Sequence, residues 1–296
     1  WTGGDAFMVS GFGRSSTSGD ITVKTQDAGA NAEKKTVGVS GQLVFSTGVS
    51  QLGNSGLYSV TTGSAKRGAA GSGGNITFAV GTGDSGNGGQ VRVTAGETTY
   101  DAAVGGMVKI VAGHGQGTSQ GHGGKAEIQG GLGASSSGGS IWFESGYGTK
   151  TSSGNVTIRS VNAGFSGVSG RMMLFTGSSS EGNTGRIDIL TGVAPRQGRG
   201  GNITILVGTG TSGWGGNVSM LAGKSTVKTG GAVSIETGEG TSSSSGIIVI
   251  RSANASYAGV SGRLVFSSGT SSVANSGGIF LGTSAGAPSG RGGMVS

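Results

Sequence analysis

The stretch Gly73–Gly89 reads GGNITFAVGTGDSGNGG, and Gly200–Gly216 reads GGNITILVGTGTSGWGG. Seventeen residues recur with few changes, and the sequence between them follows the same template. Aligning the chain on the glycine that precedes each apolar alternation gives unit starts at Gly4, Gly19, Gly41, Gly56, Gly74, Gly89, Gly106, Gly124, Gly139, Gly154, Gly170, Gly185, Gly201, Gly216, Gly231, Gly246, Gly262 and Gly277. These 18 units are mostly 15 or 16 residues long, and the longest, from Gly19, carries an insertion around NAEKKT. The fourth residue after each start is apolar throughout, as in Val23, Phe45, Phe78, Phe143, Leu174, Ile205 and Phe266. The second is large and apolar except at Ala6 and Ala126, and the sixth is always Gly, Ala, Ser, Thr or Val. Alternation of period two puts these three positions on one side of an extended segment.

A short strand of this kind cannot bury its apolar side alone, but stacked copies of it can. The expected fold is therefore all-β: one continuous, narrow parallel β-solenoid over residues 1–296, of about 18 coils, with uncapped ends. At the strand spacing it would be a rod of about 85 Å. Glycine at 69 of 296 positions argues against helix. A longer period overlies the short one. NVTIRSVNAGFSGVSGRMMLF from Asn155 matches IIVIRSANASYAGVSGRLVF from Ile247, with Gly170 and Gly262 92 residues apart. Super-repeats are expected at about 19–153, 154–245 and 246–296. Val93, Ile110, Ile128, Phe143 and Ile158 should form one buried ladder, so that Ile158→Asp would cost several kcal/mol.

Composition excludes several classes. Two prolines and no strict glycine triplet exclude collagen. No apolar run reaches the length of a membrane helix, so no membrane insertion is expected. No signal peptide is visible, and the start at Trp1 reads as part of something longer. The absence of cysteine removes disulfides, thiolate metal sites and cysteine nucleophiles. The net charge of +7 is scattered, with AEKK at Ala32–Lys35 the nearest to a cluster, and nucleic acid is not an expected partner.

Motifs for chemistry are equally sparse. GTGDSG (Gly81–Gly86) and GTGTSG (Gly208–Gly213) match GxGxxG, but no helix follows to complete a dinucleotide site, and no cofactor is expected. His114 and His122 share a return loop without a third metal ligand. Asp5, Asp20, Asp27, Asp84, Asp101 and Asp188 never recur in register, against a calcium-binding repeat. Glu127 and Glu144 are the one carboxylate pair that stacking would bring near each other. The chain is read as a non-enzyme. Ice binding would need an unbroken threonine array, whereas the third positions run Phe7, Thr22, Val44, Ser59, Thr77, Arg92, Lys109, Glu127, Trp142, Thr157.

Two sets of residues invite contact or modification. N-x-S/T sequons occur at Asn75, Asn155, Asn202, Asn217 and Asn254, the first four at the first position of a unit. The template Asn-apolar-Thr also produces them without any role. At the fifth position, outward by alternation, Lys24, Ser46, Thr61, Thr94, Gln129 and Glu144 give way to Phe175, Leu190, Leu206 and Leu221, and then to Glu236. Such a ridge suits lateral self-association, alongside head-to-tail stacking at free strand edges.

The Gly-Gly-Asn-Ile/Val-Thr-Ile opening with a Gly/Ser/Thr return resembles the repeat region of secreted filamentous-haemagglutinin-like adhesins of bacteria. It also resembles the Gly/Ser/Thr-rich surface repeats of algae, diatoms and related protists. Both resemblances imply an extracellular or cell-surface fibre, adhesin or wall-associated rod, with glycans or wall polysaccharide as further partners and no catalytic residues. The expected function is a structural segment of such a fibre; an adhesin stalk or an ice- or polysaccharide-binding surface is the alternative.

Overall fold

The structure is a computed structural model that describes residues 4–14, 17–29, 38–65, 71–84, 86–116, 121–196, 198–211, 213–284 and 292–295. Trp1, the NAEKKT insertion and the AEKK cluster lie outside these residues. The chain divides into two units, Trp1–Val156 and Thr157–Ser296. The division falls inside the repeat that begins at Gly154.

The expected β-solenoid is not formed. Among the described residues there is no helix and no β-strand, and so no sheet and no stacked coil. No apolar side chain among them is buried. The expected ladder is open to solvent at every member, Val93, Ile110, Ile128, Phe143 and Ile158, with Ile158 67% exposed. The chain exposes 30853 Å². A folded chain of 28.5 kDa would expose about 11,000 Å², and a fully unfolded one about 41,000 Å².

The physical reason lies in how successive repeats meet. A stacked coil needs each segment beside its predecessor along its whole length. Among the described residues, successive segments are joined where one ends and the next begins. The start glycine of a repeat sits on the small sixth residue of the repeat before it. Gly41 faces Thr25, Gly56 faces Thr47, Gly170 faces Ser160, Gly231 faces Ala222 and Gly262 faces Ser252, each with the position of an added Cβ 3.1–3.5 Å from that residue's Cβ. In the two quoted stretches the sixth residue is valine and the approach is closer. A Cβ on Gly89 would meet Val80 Cγ1 at 2.5 Å, and one on Gly216 would meet Val207 Cγ1 at 2.6 Å. Contacts thus recur at these glycines, as junctions and not as the ladders of the expected solenoid.

The backbone closes the same junctions. The start glycine donates its N–H to the carbonyl of the preceding repeat's seventh residue: Gly19 to Gly11 (3.1 Å), Gly106 to Gly96 (2.8 Å), Gly124 to Gly113 (2.8 Å), Gly139 to Gly131 (2.8 Å), Gly154 to Gly146 (2.9 Å), Gly231 to Gly223 (2.9 Å) and Gly246 to Gly238 (3.1 Å). Each bond ties the neck of a return loop, so the loop's ends lie together in the manner of an Ω-loop. At Thr25 and Thr62 the sixth-position hydroxyl adds a bond to the start carbonyl, of Gly41 (3.2 Å) and Gly74 (3.1 Å).

Inside the loops the ninth residue after each start is Gly, Ala, Ser or Thr in all 18 repeats, and the described loops use serine, alanine and glycine there in different ways. As serine it accepts an N–H three residues on: Gly182 to Ser179 Oγ (2.9 Å), Lys228 to Ser225 Oγ (2.9 Å), Ala274 to Ser271 Oγ (3.0 Å). These are side-chain-closed turns. As alanine it lies beside a glycine four residues later: a Cβ added to Gly167 would stand 3.4 Å from the Ala163 Cβ, and one on Gly259 3.4 Å from the Ala255 Cβ. As glycine it leaves room for the returning backbone. A Cβ on Gly115 would meet the His122 carbonyl, and one on Gly240 the Ser244 carbonyl.

Gly133 tests this division of labour. Its Cβ would lie 2.5 Å from both the Ser136 and Ser137 oxygens, whereas Gly131 in the same loop faces open space. Gly133→Ala is expected to open the neck, since misfitted atoms typically cost about 1–3 kcal/mol. The Gly139 amide should then exchange with solvent at least about tenfold faster. Gly131→Ala should leave that rate unchanged. Equal rates in the two variants would refute the steric role of the ninth glycine.

Candidate functional site

Although the described residues form no strand, the alternation survives locally. Side-chain polar pairs join residues two apart at odd positions of a repeat in several of the described segments. Lys125 Nζ meets Glu127 Oε2 at 2.8 Å and Arg186 Nε meets Asp188 Oδ2 at 2.8 Å. Arg92 Nε donates to Thr94 Oγ1 at 3.3 Å, and Trp142 Nε1 to Glu144 Oε2 at 3.2 Å. Side chains two apart touch only when the backbone between them carries both to the same side. Exposed pairs of this kind add little stability; their value is as markers of a polar side.

The charged residues follow the same division. Within the segments from start to sixth position, every Asp, Glu, Lys and Arg stands on the first, third or fifth position. The even positions carry the apolar residues. They are partly screened but never covered: in Ile247–Ile250 the odd pair Ile247 and Val249 is 84% and 72% exposed, and the even pair Ile248 and Ile250 is 49% and 56% exposed. Each segment is thus a short amphipathic strip with its apolar side unmatched.

The fifth-position row is the longest apolar run on the odd side, which elsewhere carries apolar residues such as Phe7, Val44, Trp142, Ile247 and Val249. Phe175 is 75% exposed, Leu190 85%, Leu206 86% and Leu221 85%. All four lie in the unit Thr157–Ser296, on four successive repeats. The five sequon asparagines, Asn75, Asn155, Asn202, Asn217 and Asn254, are all exposed. Asn254 also lines a cavity of about 290 Å³ with Arg251, Ser252 and Ala253. Four consecutive residues form a crease and not an enclosing pocket, and its volume is at the lower end for a ligand site.

The other singled-out residues are not brought together into a site. Glu127 and Glu144 each engage their own segment, with Lys125 and Trp142. His114 and His122 flank one loop, whose neck is closed by Gly124 and Gly113. Among the described residues no three His, Cys, Asp or Glu groups converge as a metal site. In the loop of the first GxGxxG match, a Cβ added to Gly83 would stand 3.5 Å from the carbonyl oxygen of Gly86 and 3.6 Å from that of Asn87. A phosphate cradle presents N–H groups instead.

Sequence reasoning missed the aromatic loop tips. Tyr147, Phe165, Trp214 and Tyr257 project almost entirely into solvent from return loops. Phe165 and Tyr257 are 92 residues apart, on equivalent turns of the long repeat. The turn at Tyr257 holds that residue at φ +53°, a left-handed conformation that side chains rarely adopt. The visible signal was an aromatic residue amid Gly, Ser and Thr, which no core pattern explains. Comparison with known protein families, with characterised proteins and with solved structures finds no match.

Proposed function

We propose that the chain is a structural segment of an extracellular fibre, that it assembles with further copies of itself, and that it performs no catalysis. One observation carries this reading: the same amphipathic strip recurs through the whole sequence, and no described residue of the chain covers its apolar side. Isolated soluble chains rarely leave apolar surface exposed on this scale. A second copy is the fitting occupant, because it presents strips of the same length at the same intervals. Burying apolar surface is worth about 25 cal/mol per Å², so association gains what the single chain forgoes. The net charge of +7 opposes it and salt screens that repulsion.

Sedimentation velocity over a range of protein and salt concentrations tests the proposal. The expected result is growth of large species with concentration, steeper at 0.5 M than at about 0.05 M salt, and filaments in electron micrographs. Monomers at every concentration and salt would refute it. A second reading, a polysaccharide-binding surface, is favoured by the exposed tips at Tyr147, Phe165, Trp214 and Tyr257. Aromatic faces of this kind stack on sugar rings. Quenching of Trp214 fluorescence by wall polysaccharide, without assembly, would favour it.

A further inference from the structure

Two features treated separately above fall on the same side of the same repeats. Asn202 is the first residue of the repeat that carries Leu206 as its fifth, and Asn217 is the first residue of the repeat that carries Leu221. First, third and fifth positions share a side wherever the polar pairs reveal it, at Lys125–Glu127, Arg186–Asp188, Arg92–Thr94 and Trp142–Glu144. The sequon hydroxyls, Thr204 and Ser219, stand at the third positions, between asparagine and leucine. The intervening Ile203 and Val218 belong to the apolar side. Both asparagines are exposed, and neither lies in a strand whose ladder would hide the acceptor amide.

We propose that Asn202 and Asn217 accept N-linked glycans, and that sugar at these positions shields Leu206 and Leu221 from a second copy of the chain. The modification exchanges one bond for another. Asn Nδ2 bonds to the anomeric carbon of a lipid-diphosphate-linked oligosaccharide, the C–O bond to the diphosphate breaks with its electrons leaving on that group, and the amide proton passes to solvent. Four residues along an extended segment span roughly 13 Å, within reach of a bulky, hydrated oligosaccharide. The even side, which faces away, stays free. Glycans would therefore bias contacts toward the apolar even side and away from the odd-side row. Shielding rests on the reading that copies associate; glycan acceptance does not.

Asn75 supplies the internal control. It occupies the same first position, with Thr77 at the third, but the fifth residue of its repeat is Ala79. The test is secretion of the full chain from a eukaryotic cell, followed by glycopeptide mass spectrometry and sedimentation. The expected result is sugar at Asn202 and Asn217. Secreted N202Q/N217Q should associate at a protein concentration at least about tenfold lower than the glycosylated chain, while N75Q should not change it. Unmodified Asn202 and Asn217 would overturn the acceptor assignment. Glycosylated chain and N202Q/N217Q associating alike would overturn the shielding. If unglycosylated chain fails to associate at any concentration, the fibre reading fails with the shielding, while occupied asparagines would still uphold the acceptor assignment.

Discussion

Ile158→Asp combined with Ile189→Asp is expected to abolish assembly while leaving the isolated chain as it is. Both residues hold the fourth position of their repeats, on the apolar side, and both are about two-thirds exposed. A polar substitution at an exposed site typically changes stability by less than about 0.5 kcal/mol. In a buried ladder each would have cost several kcal/mol. Between copies the balance reverses. Each lost apolar contact forgoes about 1.5–3 kcal/mol, and a carboxylate must be desolvated besides. Two such losses raise the concentration needed for assembly by about a hundredfold or more. Sedimentation reads the assembly, and the amide spectrum reads the chain. Unchanged assembly would show that the even side is not the contact. Chain-wide spectral change in dilute solution would show that Ile158 and Ile189 are already packed within it.

Much of the local design was legible in the sequence, and the reason is that it depends on residues close along the chain. The start glycines were found because each precedes an alternation, and the structure puts most of them against the sixth residue of the repeat before, as Gly41 against Thr25 and Gly262 against Ser252. Gly216 on Val207 is the clearest instance. The alternation itself reappears in Arg186–Asp188 and Trp142–Glu144. What was not legible is whether segments lie side by side. Val93 and Ile110 are equivalent in sequence whether their repeats stack or meet only at a neck. The period constrains each segment's sides and says nothing of its neighbour. Stacking must also offset the ordering of a glycine-rich backbone, and each glycine costs about 0.5–1 kcal/mol more to order than alanine. Without burial at Ile158 or its equivalents, no described residue of the single chain supplies that offset. The candidate site was legible in the same partial way. The row Phe175, Leu190, Leu206, Leu221 breaks a polar pattern and so announced itself. The ninth-position glycines, by contrast, mimicked a phosphate motif. Gly83 falls in a GxGxxG match because the repeat template supplies a glycine at its ninth position, as it does at Gly115 and Gly133.

Replacing Leu190 and Leu206 by serine should weaken lateral association of the unglycosylated chain by about a hundredfold, without disturbing the loops. Each leucine is about 85% exposed, so the single chain gains almost nothing from it. A neighbouring copy would gain about 1.5–3 kcal/mol from each on full burial. Leu190 follows the Arg186–Asp188 pair on the same side of its repeat, and serine already stands at the equivalent position of two other repeats, as Ser46 and Ser267. Loss of assembly alone could reflect general solubility, so a change in the opposite direction is the sharper measurement. The row ends at Glu236, the fifth residue of the repeat from Gly231. Glu236→Leu extends it by one repeat and removes a carboxylate, and it should lower the concentration required for assembly. Removing that carboxylate also raises the net charge from +7 to +8, which by itself opposes association. Stronger assembly of Glu236→Leu would therefore come from the added apolar contact. If Glu236→Leu and the serine pair both assemble as the parent chain does, the fifth-position row takes no part in the contact, and the even side alone must carry it.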